Sequence, residues 1–583
     1  MSQDIQLLIG GEAGQGLVTI GQLLGKALVR AGHQIFTSQG YHSRIRGGHN
    51  VFAIRAGSGP FFASRDSIDI LVALNSETVA LHRDQLTSRA VIVADTAISS
   101  DLPGTISVPF AEFGPERFWN TAALALLGQI LGLSSTQLQQ AVETMFGKKH
   151  PEMMAENLKI MEKSRKWAID QVPKHGCTLS AGAVTGDRLL LNGNEAIALG
   201  ALAAGLKFCA FYPMTPSTSI AMELITHAET MGCVTEQAED EIAAINMAIG
   251  AAFAGAPSMV TTSGGGFALM AEGVSLAGMT ETPVLIVVAQ RPGPATGMPT
   301  RTEQADLEFI LHAGHGEFPR AIFAPGNIET CFNLTAKALA LAERSQSPIF
   351  LLTDQFLADS TRPLAPSELK AGTPVKAGAE PGDTETTPYQ RYRLTENGIS
   401  PRLLPGLSQH LVVAGSDEHD QDGHLSEDHQ TRIAMVEKRL RKFALLKEET
   451  VRPVLDGEHD CSLLLVCWGS SQGPVQEAAA MLRAQGSSVA TLHFSQVWPL
   501  LPVQFLNILQ AADQVVSVEG NATGQFARLI QRASGFVIAE QINRYDGLPF
   551  TARYILAKLE KIAGWEKLPV INPNTDTSTG VKS

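Results

Sequence analysis

Short apolar runs that alternate with longer amphipathic stretches are the feature that most constrains the fold of this chain. Near the N-terminus, an apolar run at 5–9 is followed by a glycine turn and a helical stretch at 16–31. Further strand-like runs follow at 34–38, 51–56, 68–74 and 90–94. Because strands that alternate with helices imply crossover connections, this pattern predicts an α/β unit with a mostly parallel sheet. Helical stretches at 119–133 and 135–145 complete the unit.

The same alternation occurs twice more along the chain. The second set of apolar runs lies at 208–212, 258–262, 284–289, 320–323 and 349–353. The third set lies at 463–468, 488–493, 514–519 and 537–539. A chain of 583 residues exceeds what one hydrophobic core can cover. We therefore predict a multidomain α/β protein.

The stretches between these sets differ in composition. A polar stretch at 173–185 separates the first two, and 362–390 is rich in Pro, Gly, Glu and Thr, which is typical of an exposed linker. A basic amphipathic stretch follows at 429–447. The predicted domains are 1–175, 186–361, a linker and extension at 362–455, 456–570, and a disordered tail at 571–583.

Charge and cysteine usage exclude several classes of protein. The formal net charge of −13 argues against a general nucleic-acid binder, which needs a basic surface. The N-terminus has no signal-peptide pattern, and every apolar run is too interrupted to cross a bilayer. Six scattered cysteines without a CxxC motif indicate a reduced, cytoplasmic protein that holds no iron–sulfur cluster or zinc site of its own.

Two glycine-containing loops in the first unit could hold phosphate groups. The segment GGEAGQG at 10–16 lies between a strand and a helix, where backbone amides can bind an anion, although the residues alone favour a tight strand–helix turn. The segment SRIRGGH at 43–49 places Arg44 and Arg46 beside adjacent glycines. Guanidinium groups suit a polyphosphate such as coenzyme A, and the alternative is an exposed basic turn.

A rigid threonine ends the first strand of the second set. In YPMTPST, Thr215 lies between Pro213 and Pro216 and follows Tyr212. Because proline fixes its own backbone angle and restricts the residue before it, Thr215 is held in place where open α/β sheets bind ligands. Its hydroxyl could orient a substrate, and a purely structural turn is the alternative.

An acidic helix start and a glycine loop follow. The stretch 236–250 is predicted to be one helix, in which Glu241 directly precedes an apolar run. Acids favour the first turn of a helix, but a carboxyl group beside apolar residues can also stay protonated near neutral pH. The segment TTSGGG then contains Ser263, Gly264 and Gly265, where the backbone must approach something closely.

Two arginines follow the next apolar strand. Arg291 comes directly after the run at 284–289 and could clamp a carboxylate with two hydrogen bonds, and Arg301 lies ten residues later. By contrast, the acidic segment at 418–429 resembles a calcium loop only in part. It has Glu at the first position and His where a bidentate Glu belongs, so we expect a solvated acidic loop.

Together these segments resemble the alpha subunits of 2-oxoacid:ferredoxin oxidoreductases with a gamma domain fused at the N-terminus. The resemblance is carried by NGNEAIALGALAAGLKF, YPMTPST, TTSGGGFALM and QRPGPATGMPTRTEQ, and covers 5–568. It implies an N-terminal α/β gamma domain that covers coenzyme A, a pyrimidine-binding thiamine diphosphate domain, and an α/β domain similar to the C-terminal domain of transketolases.

The resemblance also implies roles for the residues above. Thr215 and Arg291 would contact the 2-oxoacid, and Glu241 would hydrogen-bond the aminopyrimidine ring of thiamine diphosphate. Arg301 is a candidate for a distal carboxylate of the substrate. Further contacts to cofactor and coenzyme A are implied for Tyr212, Pro213, Ser263, Gly264, Gly265, Arg44 and Arg46.

The implied activity is the oxidation of 2-oxoglutarate to succinyl-CoA and carbon dioxide with reduction of ferredoxin, or the reverse carboxylation. Pyruvate or branched-chain 2-oxoacids are the alternatives within the family. No GDG motif is present, so a beta subunit is expected to carry the diphosphate site, Mg²⁺ and a [4Fe–4S] cluster in an (alpha-beta)₂ heterotetramer. From the glycine turns alone, an acyl-CoA ligase-type protein or a non-catalytic scaffold also stays open.

Overall fold

A computed structural model describes residues 4–42, 48–98, 102–147, 151–172, 177–180, 182, 184, 186–378 and 389–562. The predicted disordered tail at 571–583 lies outside these residues. Within them, no helix combines the length and the apolar character that a bilayer span requires.

The part up to residue 172 contains all the strands and helices predicted there, and a further edge strand. Its strands are β1 (Ile5–Glu12), β2 (Gln34–Gly40), β3 (His49–Gly57), β4 (Ile68–Ala73), β5 (Leu86–Asp95) and β6 (Thr105–Val108). Its helices are α1 (Leu17–Arg30), α2 (Ser76–His82), α3 (Phe110–Phe113), α4 (Trp119–Leu131), α5 (Ser135–Phe146) and α6 (Met154–Gln171).

The middle part has the predicted strands, but one predicted helix starts later. Its strands are β7 (Leu189–Asn192), β8 (Phe208–Phe211), β9 (Val234–Gln237), β10 (Ser258–Thr262), β11 (Val284–Gln290), β12 (Ala321–Phe323), β13 (Pro348–Asp354) and β14 (Thr361–Leu364). Its helices are α7 (Gly193–Ala203), α8 (Thr218–Met231), α9 (Glu241–Phe253), α10 (Gly264–Leu269), α11 (Ala271–Met279), α12 (Leu307–His312), α13 (Ile328–Ser345) and α14 (Gln355–Asp359). The helix predicted from residue 236 begins at Glu241, because the Asp240 side chain accepts a hydrogen bond from the Ala243 amide (2.7 Å) and caps it there.

The C-terminal part forms a third sheet with its helices. Its strands are β15 (Val454–Asp456), β16 (Leu463–Trp468), β17 (Val489–Phe494), β18 (Gln496–Trp498), β19 (Gln514–Glu519) and β20 (Glu540–Asn543). Its helices are α15 (His429–Arg441), α16 (Phe443–Glu448), α17 (Gln472–Ala484), α18 (Leu506–Ala511), α19 (Gln525–Ser534) and α20 (Ala552–Leu559). The strand predicted at 537–539 is wrong: Val537 is 59% exposed, and pairing with β19 starts at Glu540, which aligns the buried Ile542 with the core.

The first sheet has the order β6-β5-β4-β1-β3-β2-β14-β7. Only the pairs from β6 to β1 are parallel, so the prediction of a mostly parallel sheet is wrong. β3 pairs antiparallel with both β1 and β2. The physical reason is the short connection at 41–48 between β2 and β3, which leaves no room for a crossover helix.

Two strands of this sheet come from outside the N-terminal part. β14 pairs antiparallel with β7 over four residues and meets β2 at Thr361 and Thr37. The predicted exposed linker therefore begins in a buried strand: the Arg362 side chain forms an ion pair with Glu329 and lies over the ring of Phe62.

The second sheet is parallel except for its edge strand β18, with the order β18-β12-β13-β11-β10-β8-β9. The third sheet has the order β15-β17-β16-β19-β20, in which only β15 is antiparallel. One apolar core joins the two sheets, and it includes Phe350, Trp468, Phe494 and Phe526. The C-terminal part also contributes a strand to the second sheet, because β18 pairs antiparallel with β12.

A buried charge cluster fastens α15 to the middle part. The Glu281 carboxylate accepts hydrogen bonds from Lys438 Nζ (2.6 and 2.7 Å) and contacts Lys442 Nζ at 2.5 Å. These three side chains are between 0% and 1% exposed. Burial alone would raise the pKa of Glu281, but the charges of Lys442, Lys438 and Arg391 outweigh burial and lower the pKa to about 2.

The acidic segment at 418–429 carries an ion pair. The Glu418 carboxylate accepts hydrogen bonds from both terminal nitrogens of Arg439 (3.0 and 2.8 Å) and from Arg432. The first carboxylate of this segment, Glu418, therefore forms ion pairs with two arginines of α15.

Candidate active site

Three loops at one edge of the second sheet carry most of the predicted site residues. They follow the carboxyl ends of the parallel strands β8, β10 and β11, and α9 begins beside them. The carboxyl edge of an open parallel sheet is where ligands bind in α/β proteins.

Thr215 and Arg291 meet at this edge. Arg291 Nη1 donates a hydrogen bond of 2.6 Å to the Thr215 carbonyl oxygen, although the two residues are 76 positions apart. Burial lowers the pKa of Arg291, and the negative charge of Asp306 opposes this effect. Tyr212 and Pro213, which precede Thr215, are exposed. The backbone of this loop is therefore fixed while its outer face stays open.

Glu241 is buried at the first position of α9. Its side chain is enclosed so closely that a Cβ on Gly266 would overlap Glu241 Oε1 and would lie 2.8 Å from Glu241 Cγ. The residue is only 3% exposed, and Oε1 has no hydrogen-bond partner among the described residues. Burial raises the pKa of Glu241; its own backbone amide opposes this and Asp240 adds to it. Burial therefore favours the neutral form of this carboxyl group more than it would at an exposed glutamate.

The glycine loop after β10 lies between these groups. Ser263 Oγ is buried and unpaired among the described residues, and Gly265 is exposed. A Cβ on Gly264 would lie 2.7 Å from Asp306 Cγ, so only glycine fits beside that carboxyl group. The structure thus brings Glu241, the glycine loop, Arg291 and Thr215 into one continuous row.

Asp306 belongs to this row, and the sequence analysis missed it. Its backbone amide donates to Gln290 Oε1 (3.0 Å), at the end of β11. Burial raises the pKa of Asp306 to about 6, although the charge of Arg291 opposes the shift. One signal could have indicated it: like Glu241, Asp306 directly precedes an apolar helix, at 307–311.

Polar atoms without partners follow the same row. Within the described ranges, Glu241 Oε1, Ser263 Oγ, Arg291 Nε and Asp306 Oδ2 are all buried and make no hydrogen bond. A buried polar group left unpaired costs about 1–3 kcal/mol. Several such atoms along one edge are typical of a surface that is completed by a ligand.

Three other predicted contact residues either lie apart from this row or fall outside the described residues. Arg301 lies between the first sheet and the C-terminal part: a Cβ on Gly40 would be 3.6 Å from its Nη1, and a Cβ on Gly547 would be 3.0 Å from its Cβ. Arg44 and Arg46 lie outside the described residues.

Two family models match the chain. Residues 199–438 match the model described as pyruvate flavodoxin/ferredoxin oxidoreductase, thiamine diP-bdg, which covers the candidate site. Residues 6–167 match the model described as pyruvate ferredoxin/flavodoxin oxidoreductase. The middle part is thus a thiamine diphosphate-binding domain of this class.

Relatives and a solved structure agree with these matches. The 2-oxoacid:ferredoxin oxidoreductase subunit alpha of a Sulfolobus species is 30% identical over 98% of this chain and 99% of its own length. The 2-oxoglutarate oxidoreductase subunit KorA of Mycobacterium tuberculosis is 28% identical over 96% of this chain and 92% of its own length. A structure of 2-oxoglutarate:ferredoxin oxidoreductase from Magnetococcus marinus, with 2-oxoglutarate, coenzyme A and succinyl-CoA bound, has a TM-score of 0.89 and 30% identity, and covers 96% of this chain and 100% of that one. The chain belongs to the 2-oxoacid:ferredoxin oxidoreductases, as one of their alpha subunits.

Proposed function

We propose that this chain is the alpha subunit of a 2-oxoglutarate:ferredoxin oxidoreductase. The reaction converts 2-oxoglutarate and coenzyme A into succinyl-CoA and carbon dioxide, and two electrons pass to ferredoxin. The names of the Mycobacterium tuberculosis relative and the Magnetococcus marinus structure support 2-oxoglutarate as the substrate. Because the chain belongs to an oxidoreductase family, we reject the two alternatives that the sequence alone left open, an acyl-CoA ligase-type protein and a non-catalytic scaffold.

The row of buried, unpaired polar atoms is the observation that carries the proposal. Glu241 fits a thiamine aminopyrimidine, because a carboxyl group with a raised pKa and an unpaired Oε1 can share a proton with a ring nitrogen. When bound, thiamine diphosphate supplies the electron sink for decarboxylation. The residues Tyr212, Pro213, Ser263, Gly264 and Gly265 would contact it.

Substrate binding is assigned to the Thr215–Arg291 pair. Among the residues that the structure describes, Arg291 Nε has no hydrogen-bond partner, and a guanidinium with a free donor suits the carboxylate next to the keto group. Its bond to the Thr215 backbone fixes the guanidinium, and the Thr215 hydroxyl lies on the same loop. Arg301 stays a candidate for the distal carboxylate, and Arg44 and Arg46 for coenzyme A.

An apolar surface around the β9 edge supports a beta partner that covers the site. α8, β9, α9 and α10 all present large apolar side chains to solvent, and exposed apolar side chains gathered on neighbouring elements mark protein interfaces. Its members are Tyr212, Met222, Ile225, Val234, Ile242, Met247, Leu269 and Met298. The alpha-subunit names of the relatives imply such a partner.

We propose that the beta subunit supplies the diphosphate site, Mg²⁺ and a [4Fe–4S] cluster, and that ferredoxin accepts the electrons from an (alpha-beta)₂ assembly. The units predicted at 1–175, 186–361 and 456–570 would cover coenzyme A, bind the pyrimidine ring and complete the fold, respectively. All six cysteines are buried free thiols, as in proteins of reducing compartments, which supports a cytoplasmic location.

The substrate is tested with the complex of this chain and its beta subunit. Viologen reduction is measured with coenzyme A and 2-oxoglutarate, pyruvate or 2-oxoisovalerate. We expect the highest kcat/KM with 2-oxoglutarate. A higher value with pyruvate or 2-oxoisovalerate would assign the chain to that branch, and no reduction with any 2-oxoacid would reject the activity.

The role of Glu241 is tested with Glu241→Gln in the same complex. The amide keeps the volume but cannot share the proton, so kcat should fall at least about 100-fold while the complex still assembles in gel filtration. Glu239→Gln is the matched control, because Glu239 is exposed two residues earlier. Near-normal turnover by Glu241→Gln would remove Glu241 from the site.

A further inference from the structure

The segment between Arg291 and α12 is fixed at its far end by the C-terminal part. Gln304 Nε2 donates to the Trp468 carbonyl (3.0 Å), and Gln304 Oε1 accepts from the Gly520 amide (2.9 Å). Asn521 Nδ2 donates to the Gln304 carbonyl oxygen (3.2 Å). Because Gln304 is buried and held on all sides, the residues that follow it have little freedom.

Because Gln304 is fixed, Asp306, two residues later, is held among the site residues. Its amide is bound by Gln290 Oε1, and the absence of a Cβ on Gly264 makes room for its carboxyl group. Oδ2 is buried and has no hydrogen bond within the described part of the chain. Burying a carboxylate in this way costs free energy unless a nearby positive charge stabilises it.

The positive charge that interacts with the Asp306 carboxylate is the guanidinium of Arg291. The two groups act on each other electrostatically, but they form no direct ion pair among the described residues, and Arg291 Nε also stays unpaired. A direct ion pair would occupy the guanidinium and leave less of it for a substrate. A carboxylate at longer range attracts the cation without taking its donors.

We infer that Asp306, from its place beside Gly264 and Gln290, is a positioning residue that orients the Arg291 guanidinium, so that its free nitrogen faces the carboxylate of the 2-oxoacid. This inference rests on the proposed function. Asp306 touches neither substrate nor cofactor in this role; it acts through Arg291.

The effect of Asp306 on the Arg291 guanidinium depends on the negative charge of the Asp306 carboxylate. With its pKa near 6, the carboxyl group is ionised at neutral pH and becomes neutral as the pH falls through that value. The groups around it are the Arg291 cation after β11, the uncharged Gln290 amide, the Gly264 backbone on α10, and Glu303 on its own segment. Burial and Asp306 raise the pKa of Glu303 to about 7. Affinity for the 2-oxoacid should therefore decrease in acid.

The test compares wild type and Asp306→Asn in the assembled complex between pH 5 and 8. We expect Asp306→Asn to raise the KM for 2-oxoglutarate about tenfold and to leave the KM for coenzyme A unchanged. In wild type, kcat/KM for 2-oxoglutarate should fall below pH 6, and in Asp306→Asn this limb should be absent. The inhibition constant of a monomethyl phosphonate ester analogue, which cannot be decarboxylated and keeps a single negative charge between pH 5 and 8, should follow the same pattern.

Glu308→Gln is the matched control, because it removes an exposed carboxylate two residues later that pairs with Arg528. It should keep the wild-type KM and pH profile. An Asp306→Asn complex with both KM and acid limb of wild type would overturn the inference, as would an equal rise in the KM for coenzyme A. If Asp306→Asn fails to assemble, the wild-type inhibition profile decides alone: a constant value down to pH 5 overturns it. Failure of the proposed function is a separate result, because wild type would then reduce no viologen.

Discussion

Gly266 offers a direct way to move the Glu241 carboxyl group without changing its chemistry. In Gly266→Ala the new methyl would overlap Glu241 Oε1 and Thr262 Oγ1 and lie 2.8 Å from Glu241 Cγ. Because non-bonded carbon atoms prefer about 3.5–4.0 Å, Glu241 Cγ must move by about 0.7 Å or more. The displacement at Oε1 is about 1 Å, and a misplacement of this size can cost about 100-fold in kcat.

The assay is viologen reduction by the assembled complex at saturating 2-oxoglutarate and coenzyme A. Gly266→Ala should lower kcat about 100-fold, and the KM for 2-oxoglutarate should change little, because Arg291 and Thr215 are on other loops. Circular dichroism and gel filtration establish that the variant complex is folded and assembled.

A second glycine on a neighbouring helix provides the control. In Gly273→Ala the methyl would lie 2.6 Å from Ile245 Cγ2, so it strains the contact between α11 and α9 but not the Glu241 carboxyl group. It should cost stability and keep the kcat of wild type. In a Glu241→Ala background, Gly266→Ala should have no further effect on kcat. Additive losses in that double variant would refute the reasoning.

Two further predictions concern stability. Glu281→Gln leaves the buried ammonium of Lys438 without a counter-charge and should lower the free energy of unfolding in urea by about 3–5 kcal/mol. The control Glu449→Gln removes a more exposed carboxylate and should cost at most about 1 kcal/mol; equal losses would contradict the role of burial. Gln304→Leu leaves the Trp468 carbonyl without its donor and should cost about 1–3 kcal/mol in the same experiment, whereas a neutral result would show that this anchor is dispensable.

Local signals indicated most strands and every residue of the site row except Asp306. Buried strands such as β11 and β13 are continuous apolar runs, so their sequences suffice to indicate them. β9 is not indicated by its sequence, and its last two residues fall in the predicted helix, because VTEQ forms an exposed edge strand without an apolar pattern. β14 was missed because it has four residues and contains Pro363.

The site residues show the same limit. Thr215, Glu241 and Arg291 each follow a strand or begin a helix, and their neighbours in sequence indicate them. Asp306 also precedes a helix, but its place beside the other site residues depends on the path of residues 292–306, which is set by contacts between Gln304 and residues 164 or more positions later. No local pattern encodes such a contact.

The strands that the first sheet borrows limit where this polypeptide can be divided. A break near residue 180 would remove β7 and β14 from the first sheet and would leave β2, which pairs with β14 at Thr37, as an uncovered edge strand. An N-terminal fragment expressed alone would therefore have an exposed edge strand and would be prone to self-association. If the chain were divided into two polypeptides here, β2 would need a lysine, a proline or an additional covering element to prevent pairing at its edge.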